Sequence, residues 1–182
     1  MTKRITVFGG STPRPGEPTY QEAYELGALI AGSGCTVLTG GYAGIMEAVS
    51  RGAFENGGYV IGVTCSDLEV WRPLPPNEWV TEEMRYQTLR ERLYALIDHC
   101  DIALALPGGI GTLAEIAAMW SSQQTEDLER PPQILIGEGW REIFSVMRRS
   151  MSSYVHKSNW ELVEFSPDIH DAFERVRRHL SL

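Results

Sequence analysis

Leu106-Pro107-Gly108-Gly109-Ile110-Gly111-Thr112-Leu113-Ala114-Glu115 joins a short apolar run to a stretch with helical spacing. The run before it, residues 101–106, predicts a strand that is buried on both faces of a parallel sheet. Three glycines and a proline allow a tight turn, after which a helix over residues 113–120 starts with unpaired amides and the positive end of its dipole. Because such a helix start binds phosphate or another anion, the stretch predicts a phosphate site with the Glu115 carboxylate one turn further on.

The same order of strand, glycine-rich turn and helix occurs twice earlier in the chain. Strands are predicted at 4–8, 35–39 and 59–63, and helices from residue 19 to the glycines at 32–34 and at 44–55. This alternation predicts an α/β fold: a doubly wound, Rossmann-like parallel sheet with helices on both faces, in a single domain spanning 1–182.

The second half of the chain continues the pattern. It predicts a long helix from about Glu82 to His99, a fifth strand at 133–136, a helix at 140–151, a short edge strand at 160–164 and a last helix capped by Ser166-Pro167. Residues 64–80 are irregular and predict a lid or an interface.

A strand order of 3-2-1-4-5 would make the first and fourth strands neighbours at the point where the order reverses. Ligands bind there, beyond the carboxyl ends of the strands. The turns that carry Gly10-Ser11 and Gly108-Gly109 would then face one crevice, with Gly40-Gly41 beside it. The convergence of three glycine-rich turns is stronger evidence for a binding site than any one of them.

The composition narrows the class of protein. A formal net charge of −8 argues against nucleic acid or an anionic membrane as a partner, and no apolar run reaches the length of a membrane span. Cys35, Cys65 and Cys100 are widely spaced, which predicts free thiols in a reducing cytoplasm rather than a disulfide framework or a metal site. The chain runs directly into its first strand, so no signal peptide is expected.

Two common nucleotide-binding motifs do not suit this chain. Residues 109–114 fit the G-x-G-x-x-A dinucleotide fingerprint, but that fingerprint normally follows the first strand and needs an acidic residue closing the next one. A Walker A loop is excluded because no Gly-Lys-Ser/Thr sequence occurs. We therefore expect no cofactor.

The charged candidates each have a structural alternative. Thr112 and Glu115 fit a capping box, in which the two side chains satisfy backbone amides at a helix start. Arg92 could be a surface arginine whose stem lends itself to packing, or a cation near the crevice that pairs with phosphate or carboxylate. Glu47 in the first turn of its helix is favourable with the dipole whatever its function.

Two motifs together carry a resemblance to a known family. Pro107-Gly108-Gly109-x-Gly111-Thr112-x-x-Glu115 resembles the P-G-G-x-G-T-x-x-E signature of the LOG ("Lonely guy") family, and residues 40–48 resemble its second glycine-rich loop and helix. Arg92 stands at the family's arginine position. The likeness covers most of the chain, from Ile5 to about Met147.

The resemblance implies a cytokinin-activating phosphoribohydrolase, in which the arginine and glutamate take part in catalysis and the glycine-rich loop binds the nucleotide phosphate. Plant-type members usually have lysine where this chain has Leu93 and glycine where it has Glu47. Glu47 is closer to bacterial nucleosidase-like relatives and molybdenum-cofactor carriers. The family's alternative label, lysine decarboxylase, does not suit the chain, because Lys3 and Lys157 are its only lysines and both lie far from the glycine-rich turns.

The leading hypothesis is therefore hydrolysis of the N-glycosidic bond of an AMP-like purine nucleoside 5′-monophosphate, with Arg92 and Glu115 catalytic. The expected substrate-binding residues are those of the three turns and the helix starts that follow them: Gly10, Ser11, Gly40, Gly41, Glu47, Gly108, Gly109, Gly111 and Thr112. The resemblance and the apolar stripe of the long helix predict a homodimer. The alternative is a non-catalytic carrier of a nucleotide or phosphorylated cofactor on the same fold.

Overall fold

The computed structural model describes residues 2–71, 73, 75–124 and 130–182. Within these ranges the strands are β1 (Arg4–Phe8), β2 (Thr36–Thr39), β3 (Val60–Cys65), β4 (Glu82–Tyr86), β5 (Ile102–Ala105), β6 (Gln133–Ile136) and β7 (Val163–Ser166). The helices are α1 (Pro18–Gly32), α2 (Ile45–Glu55), α3 (Ser66–Trp71), α4 (Leu89–Asp98), α5 (Ile110–Gln123), α6 (Glu138–Met151) and α7 (Ile169–Leu180), and a 3-10 helix spans Lys157–Leu162.

The strands form one seven-stranded parallel sheet in the order β4-β3-β2-β1-β5-β6-β7. The predicted doubly wound fold is confirmed, and so is the neighbouring position of β1 and β5, the first and fourth of the strands predicted from sequence. The order reverses between these two strands, which places the crevice beyond Phe8 and Ala105.

Alternating residues of the central strands pack into two separate hydrophobic cores, one on each face of the sheet. Ile5, Val7 and Ile102 pack with α1, α2 and α7 on one face. Phe8 and Ala103 pack with α4, α5 and α6 on the other. Because both faces are covered, the strands are apolar throughout, and this is why they could be recognised as short uninterrupted runs.

The predicted long helix over 82–99 is wrong. Glu82–Tyr86 forms β4, which pairs in parallel with β3, and the helix starts only at Leu89. The polar sequence of β4 suits an edge strand, most of whose residues are exposed. Thr88 caps α4 through a capping box with Glu91, a signal in the sequence that the prediction overlooked.

Three smaller corrections concern irregular segments. The excursion predicted over 64–80 contains the end of β3 and the short helix α3, and part of it lies outside the described residues. The edge strand predicted at 160–164 is β7, a few residues later. The last helix is capped by Asp168, whose carboxylate accepts from the amides of His170 and Asp171, rather than by Ser166-Pro167.

None of the helices within the described residues is both long and apolar enough to cross a membrane. In the same part of the chain, no group of three or more His, Cys, Asp or Glu side chains could hold a metal ion.

Candidate active site

The three glycine-rich turns meet at the reversal point through main-chain hydrogen bonds. The Gly10 amide donates to the Pro107 carbonyl at 3.1 Å, and the Gly10 carbonyl accepts from the Ile45 amide at 2.9 Å. Gly10 therefore links the turn after β5 to the start of α2.

The close approach of these turns requires glycine at particular positions. A Cβ on Gly108 would lie 2.9 Å from the Gly10 amide nitrogen and would collide with the Thr112 hydroxyl. Gly44 has a φ of 75°, and a Cβ there would lie 2.5 Å from the Gly10 carbonyl oxygen. Larger residues at either position would push the turns apart.

The turns enclose a cavity of about 360 Å³. Seven of the residues proposed from sequence line it: Gly10, Ser11, Arg92, Gly109, Gly111, Thr112 and Glu115. The remaining wall is mainly apolar and includes Met46, Leu68 and Leu89. The cavity thus combines a glycine-rich main-chain wall, one pair of opposite charges and an apolar wall, the composition of a small-molecule site.

Helix α5 starts against this cavity without a side-chain cap. Gly109 is its N-cap residue, and glycine has no side chain that could cap the first turn. The capping box, which was the structural alternative for Thr112 and Glu115, is not formed, because the helix starts two residues before Thr112 and Glu115 lies beyond its first turn. The first amides have no carbonyl partner within the helix and, together with the dipole, favour an anion.

Arg92 is a buried side chain of the cavity, not a surface arginine: 6% of the residue is exposed. Its Nε donates to the Val63 carbonyl at 2.8 Å, and its Nη2 donates to the Gly40 carbonyl at 3.2 Å. Burying a guanidinium is costly unless it has partners of this kind. The two carbonyls hold the charge in place and leave Nη1 directed to Glu115.

Glu115 faces Arg92 across a short gap. Its Oε1 lies 3.6 Å from Arg92 Nη1, which is too long for a hydrogen bond but close enough for strong attraction between buried charges. Burial raises the pKa of the Glu115 carboxyl to about 7, while the Arg92 charge lowers it. Both protonation states of Glu115 are therefore accessible near neutral pH, as a group that handles charge or protons in a reaction requires.

The glycines of the second glycine-rich turn, Gly40 and Gly41, affect the cavity indirectly, because Gly40 contacts Arg92. A Cβ on Gly40 would overlap the position of Arg92 Nη2, so this glycine makes room for the guanidinium. Gly41 has a φ of 78° and donates its amide to the Thr39 hydroxyl, which turns the chain away from β2. Neither glycine is part of the cavity wall, so their direct contact with substrate stays a prediction.

Glu47 lies apart from the cavity wall. Its Oε1 accepts a hydrogen bond from the Tyr20 hydroxyl at 2.9 Å, which joins α2 to α1. A direct role for Glu47 in binding therefore has no contact to support it in this conformation.

Tyr42, Met46, Leu68 and Leu89 are among the wall residues that had no role assigned from sequence. Tyr42 and Met46 belong to the quoted glycine-rich stretch, so their place in the site could have been inferred. Leu89 and Leu68 could not, because the sequence pattern predicts the middle of a long helix for one segment and an irregular excursion for the other. Their contribution depends on α3 and α4 meeting over the sheet.

A larger, open groove of about 1120 Å³ lies at the opposite, amino ends of the strands. Two of its charged residues, Lys3 and Asp101, pair with each other at 2.9 Å, and Asp101 also accepts from the Arg4 amide. No α-helix within the described residues points its first turn into this groove. We therefore place the chemistry in the smaller cavity.

The fold and this cavity define a Rossmann-like α/β protein with a small-molecule-sized cavity at the reversal point. The chain belongs to the SLOG cluster4 family, whose model matches residues 2–126, and the predicted kinship with the LOG family is thereby confirmed. It is similar to the cytokinin riboside 5′-monophosphate phosphoribohydrolase of Mycobacterium tuberculosis, at 34% identity over 77% of each chain. It is also 33% identical to the Arabidopsis thaliana phosphoribohydrolase LOG1, over 76% of this chain and 64% of that protein.

Solved structures with the same fold include the molybdenum cofactor binding protein of Rippkaea orientalis. The TM-score is 0.77 at 24% identity, covering 99% of this chain and 98% of that one. The molybdenum cofactor carrier protein of Chlamydomonas reinhardtii gives a TM-score of 0.76, also at 24% identity, with both chains fully covered. At this identity the likeness concerns the fold.

Proposed function

We propose that the protein hydrolyses the N-glycosidic bond of a purine nucleoside 5′-monophosphate to the free base and ribose 5-phosphate. The observation that carries the proposal is the pair of the buried Arg92 and the half-buried Glu115, which shares one cavity with the uncapped start of α5. The names of the relatives from Mycobacterium tuberculosis and Arabidopsis thaliana support the same reaction.

The geometry suggests a role for each part of the cavity. The amides of residues 108–112 would hold the 5′-phosphate, and Glu115 lies about 6 Å further along the helix axis from Gly111. The ribose would bridge that distance and bring its C1′ towards the carboxylate. Met46, Leu68 and Leu89 offer apolar surface to the base.

The reaction breaks the bond between C1′ and the base nitrogen, and the base leaves with the electron pair. The ribose then carries positive charge in a transition state that resembles an oxocarbenium ion, as in glycoside hydrolysis. The Glu115 carboxylate would stabilise this charge or hold the ribose hydroxyls. Arg92 would hold Glu115 in place or assist the departing base, and water completes the reaction at C1′.

The rival function is a non-catalytic carrier of a nucleotide or a phosphorylated cofactor. The structures from Rippkaea orientalis and Chlamydomonas reinhardtii share the fold with this chain. A carrier would need the phosphate site, but it would not need a buried carboxyl whose pKa is raised to about 7. Incubation of the protein with AMP and measurement of free adenine decides between the two: binding without release of base would favour the carrier.

The first prediction concerns the phosphate. If the amides at the start of α5 bind it, kcat/KM for AMP should exceed that for adenosine by about 100-fold or more, since hydrogen bonds to a charged group contribute about 1.5–3 kcal/mol each. Initial rates with both substrates at matched concentrations measure the difference. Equal efficiency would contradict the phosphate site while leaving the glycosidic reaction possible.

The second prediction is a homodimer formed through the surface of α4 and α5. Tyr94, Ile110 and Leu113 are large apolar residues of these two helices, and each is at least 43% exposed. Several large apolar side chains exposed on neighbouring helices are typical of a protein interface. Light scattering at micromolar concentration should give twice the mass of the chain, and Tyr94→Arg should shift it towards the monomer. A monomeric wild-type protein would contradict the prediction.

Two further properties belong to the same proposal. The net charge of −8 supports a small-molecule substrate rather than nucleic acid or an anionic membrane as the partner. Free Cys35, Cys65 and Cys100 support a reducing compartment such as the cytoplasm.

A further inference from the structure

Strand β3 continues beyond the end of its neighbour β2. The pairing between them ends with Thr39 opposite Gly62, and β3 runs on to Cys65. In a parallel ladder, alternate residues direct their amide and carbonyl groups to the same side. Because the Tyr59 carbonyl accepts from Val37 of β2, whereas the Val60 carbonyl accepts from Thr81 on the other side, the odd-numbered residues of β3 face β2.

The Val63 carbonyl and both polar backbone groups of Cys65 therefore face the side where β2 has already ended. Two side chains form the hydrogen bonds that a longer β2 would otherwise make with these groups. Arg92 Nε donates to the Val63 carbonyl at 2.8 Å. The Tyr42 hydroxyl donates to the Cys65 carbonyl at 3.3 Å and accepts from the Cys65 amide at 3.1 Å.

The same short segment of β3 thus fixes both Tyr42 and Arg92, and it brings them into contact. The central guanidinium carbon of Arg92 lies 5.7 Å from the centre of the Tyr42 ring. The two residues are 6% and 8% exposed, so little water competes with the attraction between the cation and the ring face. Asn77 also holds the Tyr42 backbone, because its side-chain amide donates to the Tyr42 carbonyl at 2.9 Å.

We propose that Tyr42 is a positioning residue: its ring, pinned by its hydroxyl to the end of β3, supports the Arg92 guanidinium in the place where it faces Glu115. The role of this pair in the reaction rests on the proposed function, but the support of one side chain by the other does not. Tyr42 acts through Arg92 and is not itself assigned a chemical step. Its own charged neighbours, Glu69 and Arg85, pair with each other at 2.9 Å.

The test separates the ring from the hydroxyl. Tyr42→Leu and Tyr42→Met remove the ring, whereas Tyr42→Phe keeps it and loses only the bonds to Cys65. The control is Phe173→Leu, which removes an aromatic ring that is also 8% exposed, but from the core on the opposite face of the sheet. The readout is the pKa of the Glu115 carboxyl, measured by carbon NMR in the protein without substrate and assigned with Glu115→Gln.

Without the ring, Arg92 should move away from Glu115 and neutralise it less. The pKa of Glu115 should then rise by about 0.5 units or more in Tyr42→Leu and Tyr42→Met, since opposite charge at close range lowers a carboxyl pKa. In an active enzyme, kcat should fall about tenfold with KM changed by less than about threefold, the pattern of a lost transition-state interaction. Tyr42→Phe keeps the ring but frees it from Cys65, so it should raise the pKa less than the ring-free variants do, and Phe173→Leu should leave it unchanged.

Ring-free variants that titrate like wild type would overturn the proposal, and so would a Phe variant that shifts as far as the Leu variant. If Tyr42→Leu fails to fold, the better-filling Met variant decides the question. The titration needs no substrate, so a protein that hydrolyses no nucleotide would refute the proposed function and still give a result for Tyr42.

Discussion

Replacing Glu115 by Gln should lower kcat/KM for a nucleoside 5′-monophosphate by about 100-fold or more while the protein stays folded. Gln keeps the shape of the side chain but cannot carry the negative charge that would stabilise a cationic ribose, and losing such a group typically costs 10²-fold or more. Because α5 starts at Ile110 and has no side-chain cap, no helix-capping contribution of Glu115 is lost with the charge. Glu142→Gln, on the exposed surface of α6, is a control of the same chemistry.

The pH dependence of the reaction should identify the same group. If the carboxylate is the active form, kcat/KM of the wild type should rise with pH through about 7, the value to which burial raises the pKa of Glu115. Glu115→Gln should lose this rise. Arg92→Ala should resemble Glu115→Gln in its loss of activity, and the double variant should be little worse than either if the residues act as a unit. A Gln variant as active as wild type would contradict a catalytic role for Glu115 and would favour the carrier function.

The raised pKa also has a consequence for stability. Between the ordinary carboxyl value of 4.5 and about 7, the folded protein binds more protons at Glu115 than the unfolded chain does. The contribution of Glu115 to stability is therefore full below 4.5 and is lost as the pH rises through about 7. At pH 8, Glu115→Gln should raise the free energy of unfolding by about 1–3 kcal/mol, measured by urea denaturation, with little gain at pH 4. A Gln variant that is less stable at pH 8 would contradict the raised pKa.

The general position of the cavity followed from local sequence because each glycine-rich turn directly follows a strand. Strands that are buried on both faces read as apolar runs, and parallel strands deliver the turns after them to one edge of the sheet. The neighbouring position of Gly10 and Pro107 could thus be predicted without knowledge of any side-chain contact.

The burial of Arg92 could not be read in the same way. Helical spacing placed it only at the border of an apolar stripe, and its depth depends on the Val63 and Gly40 carbonyls, which lie 29 and 52 residues away in sequence. Local patterns contain no information on such pairings. The error over Glu82–Tyr86 has a related cause, because a charged edge strand and an exposed helical turn have similar composition, and only the pairing with β3 distinguishes them.

Gly40→Ala is the substitution that should disturb Arg92 most without altering any charge. A Cβ at this position would overlap Arg92 Nη2 and would lie 2.6 Å from Met46 Sδ. Met46 is flexible and can move aside. Arg92 is tied to the Val63 carbonyl and can yield only by breaking its hydrogen bonds.

We therefore expect Gly40→Ala to cut kcat/KM by about 100-fold, comparable with the loss of a positioned catalytic group. Overpacking of this kind should also destabilise the fold by about 1–3 kcal/mol, seen as a lower melting temperature. The matched control is Gly32→Ala in α1, where a Cβ would meet nothing within 4 Å and the activity should be unchanged.

A double-mutant cycle shows whether Gly40→Ala lowers kcat/KM because it displaces Arg92. In an Arg92→Ala background the space beside Gly40 is vacated, so the added methyl of Gly40→Ala should cost little further activity and little further stability. A full additional loss in that background would mean that the glycine serves the substrate directly, as the sequence alone suggested. Wild-type activity in the single Gly40→Ala variant would instead show that Arg92 tolerates displacement, and would weaken its assignment to the reaction.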